Sequence, residues 1–319
     1  MTNTAATFTT KIPEAANIAT SPERYRKPFP WGSLGVYAML LAGAAVLIVP
    51  FLWMTAASLD TQQNVIGGEI DWAMRDARWS NYPEALARLG MAADVNGDGH
   101  VSLGEAIRVR FPALSNTIVV TMLCILGQVV SSSLVGFGFA RFQFRGRGIM
   151  FMLMLSTMML PYQVTMIPVF VLFRSLGMID TFWPLIIPAW VASPFFAFMF
   201  RQFFAQVPEE LMEAARIDGA SNLTIYWRLM LPLSTPVIAI VAIYTFMTTW
   251  NDFLAPLIYL NSPENRTLAL ALNAFNGQYG IRDAHLLMAA SAVTMLPCIL
   301  LFFAAQKYFI DTGSQTGLK

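Results

Sequence analysis

Oxygen-bearing side chains in the stretch from Asp94 to Glu105, DVNGDGHVSLGE, fall at the spacing a hard cation needs. Asp94, Asn96 and Asp98 alternate, Gly99 follows them, and Glu105 stands at the twelfth position of the run. In a tight loop of this kind alternate residues turn their oxygens toward a common centre, the glycine permits the sharp turn, and the closing glutamate adds two oxygens at once. His100 contributes its carbonyl rather than its ring, and Ser102 acts directly or through a water. Helix-like runs flank the loop, Glu84 to Leu89 before it and Ala106 to Val109 after it. A flexible shell of about six to eight oxygens suits Ca²⁺ better than Mg²⁺.

The constrained positions of an EF-hand loop are therefore all in register. The competing reading is a solvated Asp/Asn/Gly turn, which reproduces parts of the same pattern. The chain has no second loop of this kind, which points to modest affinity and a structural role: calcium bracing the segment for contact with an external partner.

A second stretch, PEELMEAARIDGASNLTIYWRLMLP from Pro208 to Pro232, is suited to mechanical work. Pro208 fits a first helical position, and Glu209, Glu210 and Glu213 set negative charge at the positive end of the helix dipole. Leu211, Ala215 and Gly219 recur every fourth residue with Ala214 beside them, giving a face of little bulk that can lie close against another protein. Gly219 reads as the stop, Ser221 or Asn222 as the cap of a second segment, and Leu231-Pro232 as the entry to the next apolar run.

The rest of the chain must hold these two stretches apart. Hydrophobic residues make up 56% of the sequence and charged residues 12%, against about 25% charged in soluble domains. Membrane lipid is the solvent such a composition implies. Charge-free runs long enough to cross about 30 Å of hydrocarbon occur at 34–57, 115–140, 148–173, 182–200, 232–251 and 286–306, so the expectation is an all-α membrane protein with six transmembrane helices. The run at 31–58 is too long for a signal-peptide core and reads as a retained anchor.

Arg141, Arg145, Arg147, Arg201, Arg216, Arg228, Lys307 and Lys319 share one side with the N-terminal tail, while the opposite short links hold only Arg174, Arg266 and Arg282. The positive-inside rule then places both termini and the Pro208–Pro232 stretch in the cytoplasm. The domains expected are a cytoplasmic tail at 1–30, the first span at 31–58, and an external loop carrying the calcium site at 59–114. A membrane core at 115–307, with the docking helix at 208–220, and a cytoplasmic tail at 308–319 complete the chain. Prolines at 50, 161, 168, 188, 194 and 297 punctuate the spans, and interrupted backbone is tolerated in a membrane mainly where it is buried in protein or lines a cavity; packing kinks are the equal alternative. Leu160-Pro161 through Ile167-Pro168 is the best cavity candidate on that ground.

Several chemistries are missing. No Asp, Glu, Lys, Arg or His lies inside the six runs, which weighs against proton or sodium coupling. No G-x-x-x-x-G-K-[ST] loop is present to cradle nucleotide phosphates, so the chain is not itself an ATPase and energy must come from a partner. Basic clusters interleaved with aromatics are absent, and with them a nucleic-acid role. Cys124 and Cys298 lie in apolar runs as small hydrophobes, implying neither disulfide nor metal. Polar groups that could meet a neutral, hydroxyl-rich ligand are Tyr162, Gln163, Trp190, Trp250, Asn251 and Asp252, although aromatics at span ends also form interfacial belts and a lone amide also joins helices.

Glu213-Ala214-Ala215, three residues, Gly219, nine residues and then Leu229-Met230-Leu231-Pro232 resemble the E-A-A-x3-G-x9-I-x-L-P signature of bacterial ABC importer permeases, with Leu229 where isoleucine is usual. Leu160-Pro161 with Ile167-Pro168, Trp250-Asn251-Asp252-Phe253 and the ending Gln306 to Phe309 with Gly317 and Lys319 are similar to the smaller, six-helix permease of maltose-type carbohydrate importers. The resemblance implies a bacterial inner-membrane, multi-pass subunit that moves a sugar or oligosaccharide. It further implies a second permease, two ATPase subunits and an external substrate-binding protein as partners, with ATP used only by the ATPases. The Pro208–Pro232 stretch becomes the coupling helix, with Glu213, Ala214, Ala215, Gly219, Leu231 and Pro232 as its working residues. The calcium-loop insertion departs from the usual pattern of that group. An ATP-independent facilitator or channel and a calcium-responsive receptor are the alternatives.

Overall fold

The computed structural model describes residues 31–89, 112–277, 280–281 and 283–315. The calcium-loop residues Asp94, Asn96, Asp98, His100, Ser102 and Glu105 lie outside that set, as do the N-terminal tail and the last four residues. The chain divides into two units, Met1–Val49 and Pro50–Lys319. In the first, residues 34–49 are helical and exposed throughout.

The described chain is helical apart from a two-residue antiparallel pairing of β1 (Asn276–Gly277) with β2 (Gly280–Ile281). The helices are α1 (Trp31–Ser58), α2 (Gln62–Gly67), α3 (Asn81–Arg88), α4 (Pro112–Arg141), α5 (Arg147–Ser156) and α6 (Tyr162–Ser175). They continue as α7 (Trp183–Ile186), α8 (Pro194–Gln206), α9 (Glu209–Ile217), α10 (Asn222–Ile225), α11 (Leu231–Leu233), α12 (Thr235–Trp250), α13 (Leu254–Tyr259), α14 (Leu268–Leu272) and α15 (Ala284–Gln315). Four straight segments are long and apolar enough to cross a membrane, and two bent pairs raise the number to six when each pair counts as one span.

Two of the six expected spans are bent, one of them at a proline that the sequence marks as an interruption. At Leu160-Pro161 the chain turns by 97° between Arg147–Met159 and Tyr162–Ser175. Proline forces its predecessor out of the helical region, and Leu160 is extended at ψ 115°. The second bend, 76°, separates Asn222–Leu233 from Thr235–Trp250. Pro232 cannot donate to the helical ladder, and one residue ahead of it the Leu231 N–H reaches back five residues to the Tyr226 carbonyl, a π-turn. Leu231 and Pro232 thus lie in the last turn of the first arm, just ahead of the break at Ser234, and not in the rod of the following span. By contrast Pro50, Pro168 and Pro297 stand inside continuous helices.

The fourth span also runs further than expected, to Gln206 instead of residue 200. Arg201 is carried within it because its guanidinium lies 4.3 Å from the centre of the Phe151 ring, a cation–π contact that replaces water.

α4 is the central helix and packs most extensively on α8 and α12. Gly136 makes the α8 contact possible: a Cβ there would lie 2.6 Å from Phe200 Cβ and 2.9 Å from the Arg201 nitrogen. Two apolar clusters form at opposite ends of the bundle. One joins Phe137, Phe200, Phe204, Tyr226, Met230 and Val241 near the α4 C-terminus. The other joins Ala113, Phe246, Trp250, Leu268, Phe275 and Leu286 near its N-terminus. Leu40, Met39, Ile149 and Met152 stay more than half exposed, as apolar surface facing lipid or another membrane subunit does.

Candidate functional site

α9 is a short helix fastened at both ends. Pro208 is extended at ψ 140°, so it precedes the helix and is not its first turn, a one-residue correction to the sequence reading. Glu209 and Glu210 occupy the first turn and Arg216 the last, each complementing the dipole. Gly219 is left-handed at φ +82°. Its N–H donates to the Arg216 carbonyl at 3.0 Å and the Ala220 N–H to the Ala215 carbonyl at 2.9 Å, which is the Schellman closure. Ser221 caps the next helix, its hydroxyl accepting from the Thr224 N–H at 3.2 Å.

The inner face of α9 belongs to the protein's own core. Met212 is buried to 1% exposure in the cluster of Phe200, Phe204 and Tyr226, and Ala215 packs against the same cluster. The low-bulk face expected from Leu211, Ala215 and Gly219 is therefore split: Ala215 turns inward, while Leu211, Ala214 and Ile217 are exposed. Ile217 is 87% exposed, a bare branched side chain at the helix end. Glu213 and Gly219 are exposed too, Leu231 is half-buried and Pro232 exposed. The sequence reading missed Met212 and Ile217; their i, i+5 placement on opposite faces of an amphipathic turn was the signal.

Two side chains of α4, Ser133 and Arg141, tie it to this segment and to the end of α8. The Tyr226 and Ser133 hydroxyls meet at 2.7 Å. Arg141, the last residue of α4, donates to the carbonyls of Phe204 and Val207, satisfying the unpaired C-terminal groups of α8 just ahead of α9. A displacement of α9 is thereby shared with α4 and α8.

Among the described residues, two cavities of about 540 Å³ or more open between the spans. The larger, about 610 Å³, is lined by Trp250, Asn251, Phe253, Leu272 and Thr294 among others. The second, about 540 Å³, lies between α4, α8 and α12 and is lined by Gln128, Ser193, Thr245, Thr248 and Thr249, with Met158 from the broken third span. Trp250 and Asn251 thus reach a cavity, and Asp252 lines a cleft of about 60 Å³ beside Thr117 and Thr267. Trp190, Tyr162 and Gln163 line none of these three.

The six expected pathway residues are not gathered into one site. Trp250 is buried, stacks on Phe246 and donates its indole N–H to the Thr294 carbonyl at 3.1 Å. Asn251 spends its amide on the Met247 carbonyl at 2.8 Å. Burial pushes the Asp252 carboxyl up, against bonds from the Ala255 and Leu254 N–H groups. Trp190 lies over Gly127, where a Cβ would come within 2.7 Å of its ring. Tyr162 is half exposed but within electrostatic range of Asp252. Thr245, Thr248 and Thr249 escaped the sequence reading although their i, i+3, i+4 spacing puts three hydroxyls on one face of an apolar run.

Comparison with known proteins places this architecture. Residues 129–311 match the family described as binding-protein-dependent transport system inner membrane component. The arabinooligosaccharides transport system permease protein AraQ of Halalkalibacterium halodurans is 37% identical over 64% of this chain and 72% of its own length. Its counterpart from Bacillus subtilis is 34% identical over 73% of this chain and 84% of that protein. Among solved structures, a bacterial ABC transporter involved in import of the acidic polysaccharide alginate superposes with a TM-score of 0.72 over 88% of this chain and 99% of that one, at 20% identity. With the fold, the extent of the family match and two relatives above 30% identity in agreement, this chain belongs to the binding-protein-dependent inner-membrane components, the permease subunits of ABC importers.

Proposed function

We propose that this chain is one of two permease subunits of an importer for neutral sugars or oligosaccharides, and that α9 is its coupling helix. Its partners in this reading are a second permease, two ATPase subunits that alone use ATP, and an external substrate-binding protein. Both termini and α9 are cytoplasmic, in line with the excess of arginine and lysine on that side.

The observation that carries the reading is the two-faced build of α9. Met212 roots it in the Phe200–Phe204–Tyr226 cluster shared by α4, α8 and α12, while Leu211, Ala214 and Ile217 are bare. An isolated soluble surface gains nothing from an apolar turn of that kind, whereas a cleft in another subunit buries it. When the ATPases close on ATP, α9 moves as a lever, and its rooted face conveys the shift to the spans around the cavities. Glu213 anchors the lever by charge-assisted hydrogen bonding, Gly219 ends it sharply, and Leu231-Pro232 lead into the bend through which it joins α12.

The external segment between α3 and α4 completes the proposal. Calcium held by Asp94, Asn96, Asp98, the His100 carbonyl, Ser102 and Glu105 braces the surface that meets the binding protein; the spacing of those residues supports it.

The test is uptake by proteoliposomes holding the assembled importer, with arabinotriose as the probe sugar and ATP inside or withheld. ATP-dependent accumulation is expected. Accumulation without ATP indicates a facilitator and contradicts the proposal.

A further inference from the structure

The cavity between α4, α8 and α12 holds an unused hydrogen-bonding group. Thr245 is 95% buried, since 5% of its surface is exposed, and its hydroxyl has no partner although it lines the cavity. A buried hydroxyl left without a bond is costly and calls for an occupant. Threonines in membrane helices ordinarily bond back to the carbonyl one turn earlier, as Thr248 does to Tyr244 at 3.0 Å. Thr245 does not.

Other groups around it are also arranged for a ligand. The Oε1 atom of Gln128 accepts from the Ser132 hydroxyl at 3.1 Å and from the Ser193 N–H at 3.4 Å. An N–H only donates, so it identifies the oxygen end of that amide and leaves the NH₂ end as the donor on the cavity side. Ser193 precedes α8 without using its hydroxyl as a cap. Met158, from the broken third span, and Pro188, from the turn ahead of α8, lie on the same wall, and interrupted membrane helices are tolerated where they line a cavity. The Phe195 and Phe196 rings complete the lining.

None of the lining residues is charged. A carboxylate or phosphate entering such a site loses its hydration without a counter-ion, whereas a neutral ring of hydroxyls is matched by donors, acceptors and aromatic faces. From this geometry we propose that this subunit carries its own sugar subsite, built on Thr245, Gln128 and Ser193, which selects neutral over acidic saccharides. The inference rests on the sugar-importer reading above and adds where, and in which charge class, the sugar binds within this chain.

The assembled importer in proteoliposomes tests it, with arabinotriose as the neutral probe and an alginate trisaccharide as the acidic one. Thr245→Val removes the hydroxyl and keeps the shape; Thr248→Trp, at an exposed position, fills the cavity. The expected result is a rise in KM for arabinotriose of about fivefold to tenfold in Thr245→Val, as for one lost hydrogen bond, with the thermal midpoint unchanged or raised because an unpaired buried hydroxyl is removed. Thr248→Trp is expected to abolish uptake, and the acidic trisaccharide is expected to be rejected by the parent protein. Parent uptake of arabinotriose with both variants behaving alike overturns the subsite alone. So does a KM rise matched by a lowered thermal midpoint, or equal uptake of the acidic probe. No ATP-dependent arabinotriose uptake by the parent overturns the sugar reading and the subsite together.

Discussion

At the α9 end of the bundle, four aromatic rings interlock, with Phe200 stacked on Phe204 at 5.7 Å and Phe137 tilted against Tyr226 at 5.4 Å. At the other end the second apolar cluster, with Phe246 stacked on Trp250 at 5.1 Å, is supplemented by joints in which carboxylates gather backbone N–H groups. Asp180, at φ +63°, accepts from the N–H groups of Asn261 at 2.8 Å and Ser262 at 2.9 Å and from the Ser262 hydroxyl. Asp60 does the same with Thr61 at 2.6 Å and Asp71 at 3.0 Å, adding the Asn64 amide at 2.7 Å. Close-packed rings resist shear in every direction and transmit displacement as a block. Hydrogen bonds are directional and weaken steeply when bent, so a joint made of them holds one geometry and releases from it over a short movement. The α9 end is therefore suited to receiving a push, and the carboxylate joints beside the second cluster to holding and releasing one closed arrangement.

Breaking the packing at the α9 end is expected to have the largest effect. Gly136→Val sets new atoms against the Phe200 side chain and the Arg201 backbone, which cannot yield, and the expected loss is about 3 kcal/mol. Monodisperse protein recovered from detergent and its thermal midpoint read this directly. Gly219→Val separates coupling from folding. A Cβ at Gly219 has open space, so the left-handed backbone alone is penalised, by about 1–2 kcal/mol, while ATP-driven uptake falls by roughly an order of magnitude or more. Normal uptake in that variant would remove the lever from the account.

Metal removal next probes the segment between α3 and α4. If the 94–105 loop holds calcium, chelation lowers stability by about 1.4 kcal/mol relative to calcium at tenfold its Kd, and Glu105→Gln abolishes the difference. A thermal midpoint indifferent to calcium contradicts the site. Tyr226→Phe is milder, about 1 kcal/mol, because Ser133 keeps its bond to the Val129 carbonyl and is not orphaned.

Asp180→Asn gives the smallest effect and sharpens the comparison by pH. The Ser262 hydroxyl, followed by the Ser262 and Asn261 N–H groups, holds the Asp180 carboxyl below the usual range. Its stabilisation is therefore complete above the unfolded value of about 3.9 and lost as pH falls through the lower folded one. Asparagine tolerates the left-handed backbone and keeps one acceptor, so at neutral pH the midpoint drops slightly and the acid-dependent part disappears. A thermal melt series from pH 7 down to pH 2 checks it, the difference between parent and variant shrinking only below about pH 3.9.

Much of this architecture is legible in the chain because lipid leaves few options. An uncharged run of about 20 residues must be helical, which is why the runs at 115–140 and 286–306 match α4 and the apolar part of α15 within three residues at either end. Gly219 is legible for a similar reason, since a helix stop there needs positive φ. The bends are less so: Pro161 breaks its span while Pro168 and Pro297 do not, because breaking depends on what tertiary contact replaces the lost bond. The cavity was hidden for another reason. Span ends attract attention through tryptophan and asparagine, whereas Gln128 in α4, Ser193 just ahead of α8 and Thr245 in α12 meet only after folding.

Site-specific cross-linking at Ala214 tests the central claim most directly. With Cys124 and Cys298 replaced by serine, Ala214→Cys in the assembled importer carries a short photoactivatable label on the exposed face of α9. The account predicts adducts with the ATPase subunit, with a yield that changes when ATP is bound. Labelling by a membrane-impermeant thiol reagent from the outer surface, or adducts with lipid alone, would contradict it.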